Sequence, residues 1–269
     1  YRAEMIVWIL TTTMPLVMLA LWTSVAAEAP FQQFTQADFV AYYLGALVVR
    51  NLTSNWVAWQ LAEEIRTGTL SMRLLRPVHP LAGLFATQAA AVPLRAIVVL
   101  PVVAALALSS GAAVVIRDPA HLGLFVLSLA GAWLLTFFVF VTIGALSFFL
   151  DKSMSLAEVY FGLFMVLSGY LVPLALMPRW LRLVADWLPF RYMLGAPLEI
   201  LTGRHAEQHL VASVLRRIPG SHALLTAAGD DLAGPARLVA AQWAWVACIA
   251  VLAFFTWRRG LRRFEAFGA

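Results

Sequence analysis

Long apolar segments occupy most of the chain and constrain its fold more than any other feature. A helix needs about 20 apolar residues to cross the hydrocarbon core of a bilayer. Six such segments are present, at about 5–26, 39–61, 83–109, 121–149, 155–177 and 238–257. None sustains the period-two alternation of a membrane β-strand. We therefore expect an all-α, polytopic membrane protein with six transmembrane helices, in which residues 1–269 form a single transmembrane domain.

The composition points to the same class. Hydrophobic residues make up 62% of the chain and charged residues 12%, against about 45–50% and about 25% in soluble proteins. The single cysteine, Cys248, excludes an intrachain disulfide. The net charge of +5 is interpreted as a topology signal, because no base-reading motif accompanies it. We therefore expect membrane lipid, and no nucleic acid, around this chain.

The distribution of basic residues predicts the orientation. With a cytoplasmic N-terminus, the arginines of 63–80, Lys152 and the arginines of 258–263 all lie inside, and the two short outer loops carry only Arg117. The segment 178–237 also holds several arginines, but the positive-inside rule weakens for loops of about 60 residues. We therefore expect both termini and the 63–80 loop to be cytoplasmic, and 178–237 to lie outside.

The outer segment 178–237 is predicted to contain a helix lying in the membrane interface, between the fifth and sixth spans. On a helical projection its apolar residues share one face, namely Trp180, Leu181, Val184, Trp187 and Leu188. Its charged residues share the other, namely Arg179, Arg182 and Asp186. A helix divided in this way is typical of the membrane surface.

The loop 63–80, EEIRTGTLSMRLLRPVHP, is the only strongly polar and charged stretch between two apolar segments in the first half of the chain. We expect Gly68 to end the inward helix and Pro77 to end the short helix after it. Leu70 and Leu74 lie one turn apart and could fill an apolar groove of a soluble partner. The alternative is a solvated turn that carries positive-inside arginines.

Four polar residues fall within predicted spans, namely Arg50, Asn51, Asn55 and Arg95. An arginine at mid-bilayer costs about 2.5–3.5 kcal/mol on insertion scales. One interpretation is a transport pathway in which these residues meet an anionic substrate group. The other is structural: arginines bound to backbone carbonyls, an interfacial Arg95 if the third span begins near 96, and asparagines that pair helices.

Catalytic chemistry is not evident in the sequence. The only lysine, Lys152, follows no phosphate-binding glycine loop. HAEQH at 205–209 places its glutamate one position away from the metalloprotease order, so we expect no metal site and no catalytic residue. No carboxylate falls clearly at mid-membrane, which argues against an ion- or proton-driven carrier. A membrane enzyme acting on lipids is the other alternative, although no His or Asp cluster supports it.

Three segments together resemble one family. They are EEIRTGTLSMRLLRP at 63–77, LPFRYMLGAPLEILTGR at 188–204 and AAQWAWVACIAVLAFFTWRRGLRRFEAFGA at 240–269. Their order is similar to that of the ABC-2-type permeases, the membrane subunits of ATP-driven ABC exporters, and in particular to a bacterial subgroup. The features shared with that subgroup are an Ile-Arg-x-Gly-x-Leu loop, a Gln-x-x-Trp start to the last span and an Arg-Gly-Leu-Arg-Arg tail.

The resemblance implies a function and a set of partners. The chain would be a non-enzymatic permease of the bacterial inner membrane, exporting a drug, peptide, lipid or glycan. It would pair with a second copy or a related permease and bind two ATPase subunits, which would hold the ATP and Mg. The loop after the second span would contain the coupling helix that docks in the ATPase. The residues expected to contribute to coupling are Glu63, Glu64, Arg66, Gly68, Thr69, Leu70, Arg73, Leu74, Arg76 and Pro77.

Overall fold

The computed structural model describes residues 2–27, 29–31, 34–110, 119–150, 152–203 and 230–264. In this part the chain is helical, apart from connecting segments, two 3₁₀ turns at Leu146–Phe148 and Leu174–Leu176, and one isolated bridge between Phe31 and Phe34. The α-helices are α1 Arg2–Val25, α2 Gln36–Thr53, α3 Val57–Arg66, α4 Leu70–Leu74, α5 Pro80–Ser110, α6 Pro119–Ala145, α7 Met154–Leu167, α8 Arg179–Asp186, α9 Pro189–Thr202 and α10 Asp230–Leu261.

Three of the described helices are long and apolar enough to cross a membrane. They occupy Pro80–Leu106, Pro119–Phe148 and Gly234–Leu261, and two shorter apolar helices lie at Met14–Val25 and Met154–Leu167. The all-helical membrane architecture expected from the sequence is therefore observed. The count of six spans, and the boundaries of a single domain, stay predictions.

The segment 39–61, predicted as one continuous span, is two helices. Helix α2 ends at Thr53, α3 begins at Val57, and the residues between them are not helical. Two side chains of α5 bind this break. The Arg95 guanidinium donates to the carbonyl of Ser54, and the Gln88 Oε1 accepts from the backbone N–H of Trp56 at 3.3 Å. Non-helical backbone in a membrane domain needs such partners, because lipid offers none.

The segment 155–177 is also not one helix. Helix α7 ends at Leu167, and Gly169 follows with φ +87°, a left-handed conformation that glycine adopts without strain. Aromatic side chains from α1 and α2 bind the freed carbonyls. The Tyr42 hydroxyl donates to the Gly169 carbonyl at 2.7 Å, and Tyr43 donates to the Leu171 carbonyl at 2.8 Å. The turn is thereby held against the core of the domain.

The core forms around α6 and α2. Helix α6 packs against α10, α9 and α3, while α2 packs against α1, α5 and α9. Helix α9 is buried from Phe190 to Leu201. The Gln242 side chain on α10 links three of these helices, because its amide donates to the carbonyls of Ser128 on α6 at 2.9 Å and Tyr192 on α9 at 2.7 Å.

The predicted interfacial helix corresponds to α8. Its tryptophan Trp180, and Trp187 directly after it, are exposed, as a helix with one face in the membrane surface requires. Asp186 differs from the prediction, since it is buried rather than part of a solvated face. The remainder of the outer segment, from 204 to 229 and including HAEQH, lies outside the described residues.

Candidate functional site

The charged loop forms a compact helical hairpin. Helix α3 ends at Arg66, Gly68 takes φ +74°, and α4 runs from Leu70 to Leu74, ending before Pro77. A residue with a Cβ is strained at this φ, so the glycine allows the chain to reverse here. We call residues 57–78 the α3–α4 hairpin.

An ion pair ties the two arms of the α3–α4 hairpin together. Arg73 on α4 donates to both carboxylate oxygens of Glu64 on α3, with Nε–Oε2 at 2.9 Å and Nη2–Oε1 at 2.5 Å. The two side chains are only 22% and 16% exposed. A two-bond arginine–carboxylate pair has a defined geometry as well as attraction. The short helix is therefore fixed to the long one.

The two leucines predicted to face a partner lie in different environments. Leu70 is fully buried within this chain, so it cannot fill a groove elsewhere, whereas Leu74 is partly exposed. Sequence spacing missed three exposed apolar side chains, Met72, Leu75 and Val78, of which Leu75 is 81% exposed. The outward apolar surface of the hairpin is therefore built from Met72, Leu74, Leu75 and Val78.

The basic residues of the hairpin also differ in their exposure and partners. Arg73 is bound to Glu64, whereas Arg76 is exposed. Arg66 is exposed and pairs with Glu63 at 2.6 Å, a surface contact that contributes little to stability. Thr69 and Pro77 are exposed beside them. The apolar surface therefore has a polar margin containing two solvent-accessible arginines.

The two arginines within the predicted spans do not lie together. The Arg50 guanidinium faces α7, 5.3 Å from the ring centre of Phe164 and 5.9 Å from that of Phe161, and Tyr170 lies nearby. Arg95 instead binds the Ser54 carbonyl at the α2–α3 break. Arg95 thus binds a backbone carbonyl, and its assignment to a pathway lining stays a prediction.

The two asparagines within the predicted spans also lie in different environments. Asn51 donates to the Leu47 carbonyl at 2.8 Å and lines an open groove between α2 and α5 together with Arg95. Asn55 lies in the helix break and is 3% exposed, with neither amide atom bonded within the described residues. The four polar residues proposed as pathway lining thus do not form one surface.

A buried ionic cluster was missed by the sequence analysis. Arg191 forms ion pairs with Asp186 and with Glu199, the latter at 3.0 Å, and each of the three is at least nine-tenths buried. Both carboxylates belong to the segment 178–237, which the sequence analysis placed on the outer side of the membrane. The signal was available, because Arg191 and Glu199 interrupt an otherwise apolar run at 188–201. Burial in the fold does not give depth in the bilayer, so the argument that no carboxylate falls clearly at mid-membrane stays a prediction.

Comparison with models of protein families identifies the family of the chain. A model of the ABC-2 family transporter protein matches residues 8–268, nearly the whole chain. The chain belongs to the ABC-2 transporter family. The resemblance stated from the sequence is thereby confirmed at the level of the family, while the motifs of the proposed subgroup stay predictions. No curated protein and no solved structure matches the chain.

Membership of this family identifies the chain as a membrane transport component. ABC-2 permeases normally work with an ATPase partner, and the apolar helices of this chain agree with a membrane location. The family also agrees with a chain that is not itself an enzyme. The assignment carries no substrate, direction or copy number.

Proposed function

We propose that this ABC-2 family chain is the membrane permease of an ATP-driven exporter, and that the α3–α4 hairpin is its docking element for the ATPase. The main support is the outward apolar surface of the hairpin, together with the Arg73–Glu64 ion pair that fixes α4 to α3. Apolar side chains in the centre and arginines at the margin are typical of a protein–protein contact. A merely solvated turn has no need of exposed Leu75 and Met72.

Contacts within the chain provide a route for force from the hairpin into the membrane domain. Leu70 is buried, so α4 is anchored to the core as well as to Glu64. Helix α3 packs on α6. At Gly144 on α6, an added Cβ would come within 3.0 Å of the Ala58 carbonyl and the Leu61 Cβ. A displacement of the hairpin would therefore also displace α6.

The α2–α3 break is the corresponding place where the domain can bend. Residues Ser54–Trp56 are not helical, and side chains of α5 bind the Ser54 carbonyl and the Trp56 N–H. Such a break bends at the cost of a few side-chain contacts, whereas a continuous helix would have to lose its own hydrogen bonds. Movement of α3 can thus alter the angle to α2 without unfolding either helix.

The remaining assignments follow from this role. The permease would act as a dimer with a second copy or a related chain, with two ATPase subunits that bind ATP and Mg. Both termini and the α3–α4 hairpin would be cytoplasmic, in a bacterial inner membrane. The transported substrate would leave the cytoplasm, and its class (drug, peptide, lipid or glycan) is open in this proposal.

Co-purification tests the proposal directly. An ATPase gene is sought beside the gene of this chain and co-expressed with it, the complex is extracted in detergent, and its mass is measured. We expect two permease and two ATPase subunits, with ATP hydrolysis that depends on the permease. A permease that purifies as a stable monomer and transports without any ATPase would overturn the proposal.

A further inference from the structure

An open groove lies between α2 and α5, with a volume of about 360 Å³. Its lining is Asn51, Leu94, Arg95, Val98, Val99 and Val102, and we call it the α2–α5 groove. The lining holds one charged side chain, one amide and four aliphatic residues. No carboxylate belongs to this lining, so the groove is positively charged at one end and apolar along the rest.

Arg95 has donors available for a ligand in this groove. A guanidinium carries five N–H donors. Within the described residues its only bond is the one from Nη1 to the Ser54 carbonyl. That bond holds the side chain in place, and the remaining donors can reach an anionic oxygen without disturbing the helix break. A planar fork suits phosphate oxygens particularly well.

The exposed surface of α5 changes character at the groove, which places Arg95 at the edge of the hydrocarbon. Four of the five exposed positions on α5 before Pro93 are small, at Ala82, Ala86, Thr87 and Ala90, and the fifth is Phe85. Those after it are large and aliphatic, at Leu94, Ile97, Val98, Leu100 and Val102. The candidate span Pro80–Leu106 has 27 residues, more than the about 20 that a crossing needs, so its first residues can lie outside the hydrocarbon.

The position of Trp56 supports the same membrane depth for Arg95. Trp56 lies two residues after Ser54, whose carbonyl Arg95 binds, and Trp56 is 46% exposed. Exposed tryptophans concentrate where the headgroups meet the hydrocarbon. Arg95 and Asn51 thus face the headgroup layer on the side of the α3–α4 hairpin, while Val98 and Val102 continue along α5 into the acyl region.

We propose that the α2–α5 groove binds a phospholipid with an anionic headgroup from the leaflet on the side of the α3–α4 hairpin. The headgroup phosphate lies against Arg95 and the Asn51 amide, and one acyl chain lies along Val98 and Val102. Charge complementarity selects the anionic lipid, and the aliphatic wall selects an amphiphile over a free anion. This site goes beyond the proposed docking role and does not depend on it.

Lipid retention by the purified full-length chain tests the proposal. The protein is equilibrated in detergent with equal amounts of phosphatidylglycerol and phosphatidylcholine of the same chain composition, and bound lipid is counted by native mass spectrometry. One basic contact near the membrane surface corresponds to about a fivefold preference for the anionic lipid. We expect that preference in the parent chain. Equal retention of the two lipids would overturn the proposal.

Three variants locate the bound lipid. Arg95→Gln removes the charge but keeps an amide donor for the Ser54 carbonyl, and should abolish the preference. Val98→Trp fills the groove without touching that bond, and should lower retention of phosphatidylglycerol. Ile97→Trp is the matched control, because Ile97 is 70% exposed on the same helix but does not line the groove.

The variants are read as a set. Loss of the preference in Arg95→Gln and of retention in Val98→Trp, with Ile97→Trp unchanged, supports the site. Unchanged preference in Arg95→Gln overturns it, and so does equal behaviour of Val98→Trp and Ile97→Trp. If Arg95→Gln does not fold, the two tryptophan variants decide the question alone.

Discussion

Arg191 and Glu199 form an ion pair in the core of the protein, with Nη2 lying 3.0 Å from Oε2 and the residues only 1% and 5% exposed. Both belong to α9, and Asp186 from the end of α8 binds the same guanidinium. One arginine thus links the interfacial helix to a helix surrounded by α2, α6 and α10. Removing one partner of a buried ion pair is more costly than the pair's net contribution, because a charge is left unpaired.

Arg191→Met should therefore destabilise the domain by about 3–5 kcal/mol, since two buried carboxylates lose their cation. The melting temperature and the yield of monodisperse protein in detergent measure the effect. Adding Asp186→Asn and Glu199→Gln to Arg191→Met should recover part of the loss, because amides carry no charge. Arg179→Met, an exposed position on α8, is the control and should leave both readings unchanged. Parent-like stability of Arg191→Met would contradict the account.

Leu75→Asp should reduce co-purification of the ATPase while the melting temperature of the permease stays unchanged. Leu75 is 81% exposed, so a carboxylate is solvated in the free permease but desolvated in an apolar contact. Leu75→Met keeps the apolar contact and should bind like the parent. Leu70→Asp should instead unfold the permease, because Leu70 is fully buried. Normal ATPase binding by Leu75→Asp would place the docking surface elsewhere.

Glu64→Arg should separate docking from transport. It sets two cations side by side where Arg73 now donates to both carboxylate oxygens, losing about 1.5–3 kcal/mol of local interaction. We expect the ATPase to remain bound and its stimulation by the permease to fall. The double reversal Glu64→Arg with Arg73→Glu should recover most of the stimulation. Failure of the double variant to exceed the single one would show that the pair is not required for coupling.

Gly68→Ala should loosen the turn of the α3–α4 hairpin. At φ +74° a side chain costs about 1–2 kcal/mol. Gly68→Asn should cost less, because asparagine tolerates the left-handed region better than alanine does. Protease sensitivity of the hairpin, measured by the rate of tryptic cleavage after Arg66 and Arg73, reports the difference. Equal cleavage of the two variants would show that backbone strain at this position is not what limits them.

Arg50→Ala should lower the melting temperature, because the guanidinium lies over the rings of Phe164 and Phe161. A partly desolvated cation–π contact is worth about 0.5–2 kcal/mol. Phe164→Leu should reproduce part of the loss, and adding Phe164→Leu to Arg50→Ala should cost less than the sum of the two. Arg50→Lys keeps a cation and should fall between Arg50→Ala and the parent. Strict additivity of Arg50→Ala and Phe164→Leu would show that the two side chains do not interact.

The hairpin illustrates how far a local pattern can be read. Gly68 and Pro77 are local signals, and the turn and the short helix lie where those residues predict them. The local sequence pattern could not show which leucine faces outward, because that depends on packing against the rest of the domain. Leu70 and Leu74 are equivalent in spacing, but Leu70 is buried against the rest of the domain. Leu75, which lies outside that spacing, is the most exposed of the three.

The amino-acid sequence by itself determined the helical membrane class, the approximate helix positions, the polar loop and the family, because these depend on apolar run length, turn residues and residue order. Only the tertiary structure decided where α2 and α7 end, that Arg95 binds a helix break while Arg50 faces aromatic rings, and that Asp186 and Glu199 enter the core with Arg191. The physical reason is that the length of an apolar segment determines how many residues can leave water, but not which side chains they will contact. Satisfaction of each freed carbonyl and buried charge depends on side chains distant in sequence, such as Tyr42 for Gly169.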